Sequence, residues 1–94
     1  MTVLRDKSKR SALRSELFGK LQTVGVPLSE TVKALRKILG KDQESFSTEV
    51  GVSLSTLRKL EQEGGGVTLA TIDKILARFD LELVVRAKTP GSNR

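Results

Sequence analysis

Apolar residues recur along this chain at helical spacing in several stretches and at strand spacing in one. Between Ser11 and Val24 the stripe is Leu13, Leu17, Leu21 and Val24, with Phe18 beside it. Arg14, Glu16, Lys20 and Gln22 take the other faces, which predicts an amphipathic helix. The polar run Met1 to Ser8 ahead of it is expected to be poorly ordered, and Gly25-Val26-Pro27 ends the helix. Ser29 is placed to cap a second helix, with Glu30 favourable in its first turn. Val32, Leu35, Ile38 and Leu39 form its apolar face, and Gly40 closes it. Near the other end, Thr68 caps a helix with the core stripe Leu69, Ile72, Ile75, Leu76 and Phe79, ended by Asp80.

From Leu81 to Ala87 the period changes to two, which reads as one β-strand. A lone strand in a helical chain has no partner for its backbone groups, and buried ones must be paired. The economical partner is the same strand of a second copy, antiparallel across a two-fold axis. Leu81, Leu83, Val84 and Val85 are therefore the candidate dimer contacts. Pro90 and Gly91 end the order, and residues 89–94 read as a mobile tail.

The stretch around which the rest is organised is Lys41 to Glu61, KDQESFSTEVGVSLSTLRKLE. It predicts two short helices and a tight turn. Asp42 caps the first, whose Phe46 and Val50 share a buried face. Gly51 permits the left-handed conformation that ends a helix, and Ser53 offers a new N-cap almost at once. Leu57 and Leu60 give the second helix its buried side, leaving Ser55, Arg58 and Lys59 outward, with Leu54 and Thr56 at its start. This is the geometry of a helix-turn-helix.

The stretch resembles the helix-turn-helix of the Xre/lambdoid-repressor family: Gln43 opens the first helix, Gly51 makes the turn, and VSLSTLRKLE follows. Asp42 stands where that family commonly has Thr, and Ser47 where it has Ala; Asp still caps, and Ser keeps the helix approach close. The resemblance runs from about Leu28 to Leu81. It implies an all-α, lambda-repressor-like domain at 28–81. An extra basic arm and helix at 1–27 precede it, and a dimerisation strand at 82–88 follows. It also implies a pair between Arg36 and Glu61 holding the first family helix to the third; two solvated charges are the plainer reading. Carried over position by position, Gln43, Leu54, Ser55 and Lys59 face bases, while Ser53, Thr56 and Arg58 suit phosphates. Gln43 could instead brace another side chain, and Leu54 could pack at the turn. A C-terminal strand after such a domain is similar to HipB-type antitoxins, which implies a homodimer, a palindromic operator, autoregulation and a HipA-like kinase toxin as partner.

Charge refines this picture. The 94 residues carry a net +6. Residues 1–20 hold +4 and the segment after Val85 holds +3, leaving −1 for everything between. Basic arms beside a near-neutral reader suit a polyanion, although basic termini also serve solubility. The N-terminal helix packs on the domain or a second subunit, or grips a partner protein. Gly64-Gly65-Gly66 reads as a flexible connector, since no Gly-Lys-Ser/Thr follows to make a phosphate-binding loop.

There is no Cys and no His, so a thiolate zinc site, a disulfide framework and the commonest general base are excluded. No catalytic residue, metal or cofactor is implied, and an enzyme is not expected. No apolar run nears the ~20 residues that span a bilayer, and no secretory signal is evident, so a bacterial cytoplasmic, nucleoid-associated protein is expected. The competing reading is a free-standing phage or chromosomal repressor without a toxin.

Overall fold

The computed structural model describes residues 6–63 and 66–84. Five helices follow one another: α1 (Lys7–Thr23), α2 (Leu28–Ile38), α3 (Gln43–Val50), α4 (Leu54–Glu63) and α5 (Leu69–Ala77). No strand occurs among the described residues.

Helix α1 begins ahead of the point that the apolar stripe indicates. Asp6 caps it, its carboxylate accepting the N–H groups of Ser8 at 2.8 Å and Lys9 at 3.3 Å. A cap needs no apolar neighbour, so Lys7 and Ser8 are helical rather than loose. Of the stripe, Leu17 is buried, Leu13 and Leu21 are half-buried, and Val24 is exposed. Phe18 packs at the edge of the core under the Arg14 guanidinium, 4.9 Å from the ring centroid.

Helix α2 also starts earlier than its polar cap indicates. Pro27, with φ of −55°, is the N-cap residue, and no side chain caps the end. Proline presets the entry angle, which places Ser29 inside the first turn instead of before it. Thr31 returns to this junction, its hydroxyl donating to the Pro27 carbonyl at 3.0 Å. Helix α5 opens on Thr68 as expected, its hydroxyl accepting the Thr71 N–H at 3.2 Å, but ends at Ala77 rather than Asp80. Residues 78–80 turn out of the helix, with Asp80 left-handed at φ 58°.

The core sits where α2, α3, α4 and α5 converge. Val32, Leu35, Phe46, Leu57, Leu60 and Ile75 are completely buried. The Phe46 ring stacks on Phe79, centroids 6.2 Å apart, joining the first helix of the motif to the turn that follows α5. Leu17 of α1 reaches the same cluster, so α1 packs on the domain. No described helix is long and apolar enough to cross a membrane.

Among the described residues the expected strand is not seen. Leu81 is half-buried against the core, whereas Glu82, Leu83 and Val84 are exposed and follow it in no regular structure. Val85 to Ala87 and the tail lie outside the described residues, as does the start of the basic arm. Strand pairing needs a neighbour, and a single copy supplies none.

Phe46→Ala should destabilise the domain by about 3–5 kcal/mol, read from urea denaturation. A loss well under about 1 kcal/mol would show that Phe46 and Phe79 do not anchor the core.

Candidate nucleic-acid interface

The turn between α3 and α4 is set by its backbone. Gly51 lies at φ 77°, and its N–H donates to the carbonyls of Ser47 and Thr48 at 3.0 and 3.3 Å. The Val52 N–H donates to Ser47 at 3.0 Å, closing a Schellman-type end. A side chain at position 51 is strained by that φ. Ser53 then starts α4, its hydroxyl accepting the Thr56 N–H at 3.0 Å and donating to the Thr56 hydroxyl at 2.8 Å. Lys74 of α5 donates its ammonium to the Gly51 carbonyl at 3.2 Å, which ties the turn to the last helix. Nothing local to Lys74 signals this; it follows from where α5 packs.

Below the turn lies a buried charge pair. Arg36 Nε donates to Glu61 Oε2 at 2.8 Å and its Nη2 to Glu61 Oε1 at 3.1 Å. Both side chains are nearly inaccessible, at 4% and 2% exposure. The remaining Arg36 donor, Nη1, reaches the Lys41 carbonyl at 3.1 Å. Gln43 donates its amide to Glu61 Oε1 at 3.0 Å. One carboxylate thus gathers α2, the start of α3 and α4. Of the two alternatives for Arg36 and Glu61, the solvated one is ruled out by their burial. For Gln43 the bracing role is present in this structure.

Asp42 caps α3, accepting the Ser45 N–H at 2.8 Å. That backbone hydrogen bond, the Ser45 side chain, and the nearby Arg36 and Lys41 charges hold its carboxyl below its ordinary value. The remaining candidates line the outer side of α4. Ser55, Arg58 and Lys59 are exposed, Leu54 and Thr56 half-buried, and Ser53 exposed while hydrogen-bonded to Thr56. Leu54 is not among the residues packed on the core cluster. Glu49, at the far end of α3, is held by Lys41 at 3.1 Å and Arg78 at 3.7 Å. Such half-exposed pairs are worth little individually, but they keep this acid occupied.

The segment that holds the buried Arg–Glu clasp, the glycine turn and the outward cationic helix matches a known family. The family profile for helix-turn-helix domains matches residues 32–85, from within α2 to past the last described residue. The chain belongs to this helix-turn-helix family, of the Xre and lambda-repressor type. It is accordingly a DNA-binding regulator, with α4 as its recognition helix. Neither a curated protein nor a solved structure gives a significant match. The α1 helix lies ahead of the matched segment and is an addition to the family domain.

Removing one partner of a buried pair strands the other. Arg36→Ala or Glu61→Ala should each cost about 3–5 kcal/mol in urea denaturation, whereas the double change to Met and Leu should recover most of the loss. Singles that cost less than about 1 kcal/mol would show that the clasp is not structural. The Asp42 cap has its own signature. Because its carboxyl titrates lower in the folded state, its contribution is complete above the ordinary carboxylate range and lost as pH falls through the lowered value. The protection factor of the Ser45 amide proton, taken relative to its intrinsic exchange rate, should therefore fall selectively in acid; an unchanged protection factor would contradict the cap.

Proposed function

We propose that this helix-turn-helix protein is a transcriptional repressor that binds a palindromic operator as a homodimer and autoregulates its own operon. The observation that carries this reading is the clasp of Arg36, Glu61 and Gln43, which fixes α4 against α2 and α3 with Leu54, Ser55 and Arg58 on its outer side. Ser55 donates or accepts at a base edge, and Leu54 offers apolar contact to a thymine methyl. Ser53, Thr56 and Arg58 lie at the phosphates and set the register without reading sequence. The protein works in the cytoplasm beside the chromosome.

Two copies meet through the C-terminal segment. Leu83 and Val84 are 44% and 75% exposed, and with Leu21, Leu28 and Leu81 they line an apolar groove. Such a surface supports a covered face. The dimer is the DNA-binding half of a HipB-like antitoxin whose partner is a HipA-like kinase toxin. This last step rests on the sequence resemblance alone, a helix-turn-helix domain followed by a segment that alternates at strand spacing. The added helix α1, which is no part of that pattern, favours the second reading: a free-standing repressor without a toxin.

Selection from a random duplex library should recover a two-fold symmetric site, and Ser55→Ala should weaken discrimination at one position of each half. Recovery of no sequence preference would refute the repressor reading. Val84→Pro should abolish the dimer in analytical ultracentrifugation, since proline cannot donate to a ladder; a variant that still sediments as a dimer would exclude this interface. Purification from the native host should bring down a stoichiometric kinase-like protein, and a homodimer with DNA alone would select the free-standing repressor.

A further inference from the structure

Beyond α4 the chain bends at Gly66, which is left-handed at φ +76°. The bend brings its backbone against the Lys59 side chain. A Cβ built on Gly66 would stand 2.9 Å from Lys59 Cε, 3.3 Å from Cδ and 3.4 Å from Nζ. The distal half of Lys59 therefore passes alongside the glycine, past the C-terminal end of α4, while the side chain stays exposed. Its direction matters for function. A recognition helix meets base edges with its N-terminal residues, and here those are Leu54 and Ser55. Gly66 lies past the opposite end, beyond Glu63. Lys59 is thus drawn away from the base-reading turn and toward the rim of the interface. The last turn of α4 contains no basic residue, so its negative dipole end favours a cation leaning over it.

We propose that Lys59 and the Gly66 bend form a phosphate-binding site at the rim of the DNA interface, and that Lys59 does not read a base. The ligand is a phosphodiester oxygen of duplex DNA. The ammonium supplies the charge, and the bare glycine lets a strand approach closely. Gly66 is a positioning residue: a Cβ there would push the flexible end of Lys59 aside, and most residues would also be strained by the backbone. The site rests on the DNA-binding role of the family domain, and it withdraws Lys59 from the base-reading set that the family resemblance implies.

The test is equilibrium binding of the full chain to the duplex recovered by selection and to its single-base variants, over a salt series. The proteins are wild type, Lys59→Gln, Gly66→Asn and the double variant. Asparagine tolerates the left-handed bend, so Gly66→Asn displaces Lys59 with the least backbone strain, and thermal melts report whether each variant folds. Lys59→Gln should lower affinity by the same factor for every duplex. It should also make the slope of log K against log salt shallower by about one. Gly66→Asn should show the same flattening, and the double variant should lose no more than Lys59→Gln alone. Loss confined to one base position, or an unchanged slope, would overturn the site. Additive losses would overturn the positioning role of Gly66, and should Gly66→Asn not fold, the Lys59→Gln slope alone decides. Wild type that binds no duplex would instead refute the DNA-binding role itself, and the site with it.

Discussion

Glu61 is a buried carboxylate, and the shape of the DNA-reading surface depends on its being paired. A charge removed from water is tolerated when its lone pairs are met. Glu61 achieves this with two bonds from Arg36 and one from Gln43. These three residues come from three helices, so satisfying one carboxylate fixes three backbones relative to one another. The third Arg36 bond, to the Lys41 carbonyl, extends the constraint to the loop that delivers α3.

Onto that clasp the local devices are added in sequence. Asp42 and Ser53 start the two helices of the motif, and Gly51 ends the first. Lys74 holds the turn from outside and Phe46 holds it from inside, against Phe79. The outer side of α4 is left to bind because what stabilises the motif lies on its other sides. Position of the helix comes from the core and the clasp, and the exposed side chains of α4 carry none of that load.

Much of this was legible in the residues, where the signals are local. The glycine turn, the caps at Asp42, Ser53 and Thr68, and the stripes Val32–Leu35 and Leu57–Leu60 depend on neighbours within a turn of helix. Local pattern falls short where two local signals compete or none exists. Pro27 and Ser29 both announce a helix start, and the preset proline dihedral prevailed. Asp6 caps α1 well ahead of its first apolar residue, so the stripe concealed the true beginning. Lys74 at the turn and Lys59 against Gly66 are consequences of tertiary placement that no spacing encodes. Strand alternation after Leu81 describes what a second copy could pair with, which is a property of an assembly rather than of one chain.

The most direct measurement is a map of amide chemical shifts as the isotopically labelled protein is titrated with the selected duplex. The largest changes are expected at Gln43, through Ser53 to Lys59, and at Gly66, with α1 and the Val24 corner little affected. Changes centred on α1 or on Leu83 and Val84, with α4 silent, would contradict the claim that the clasped α3–α4 unit is the nucleic-acid interface.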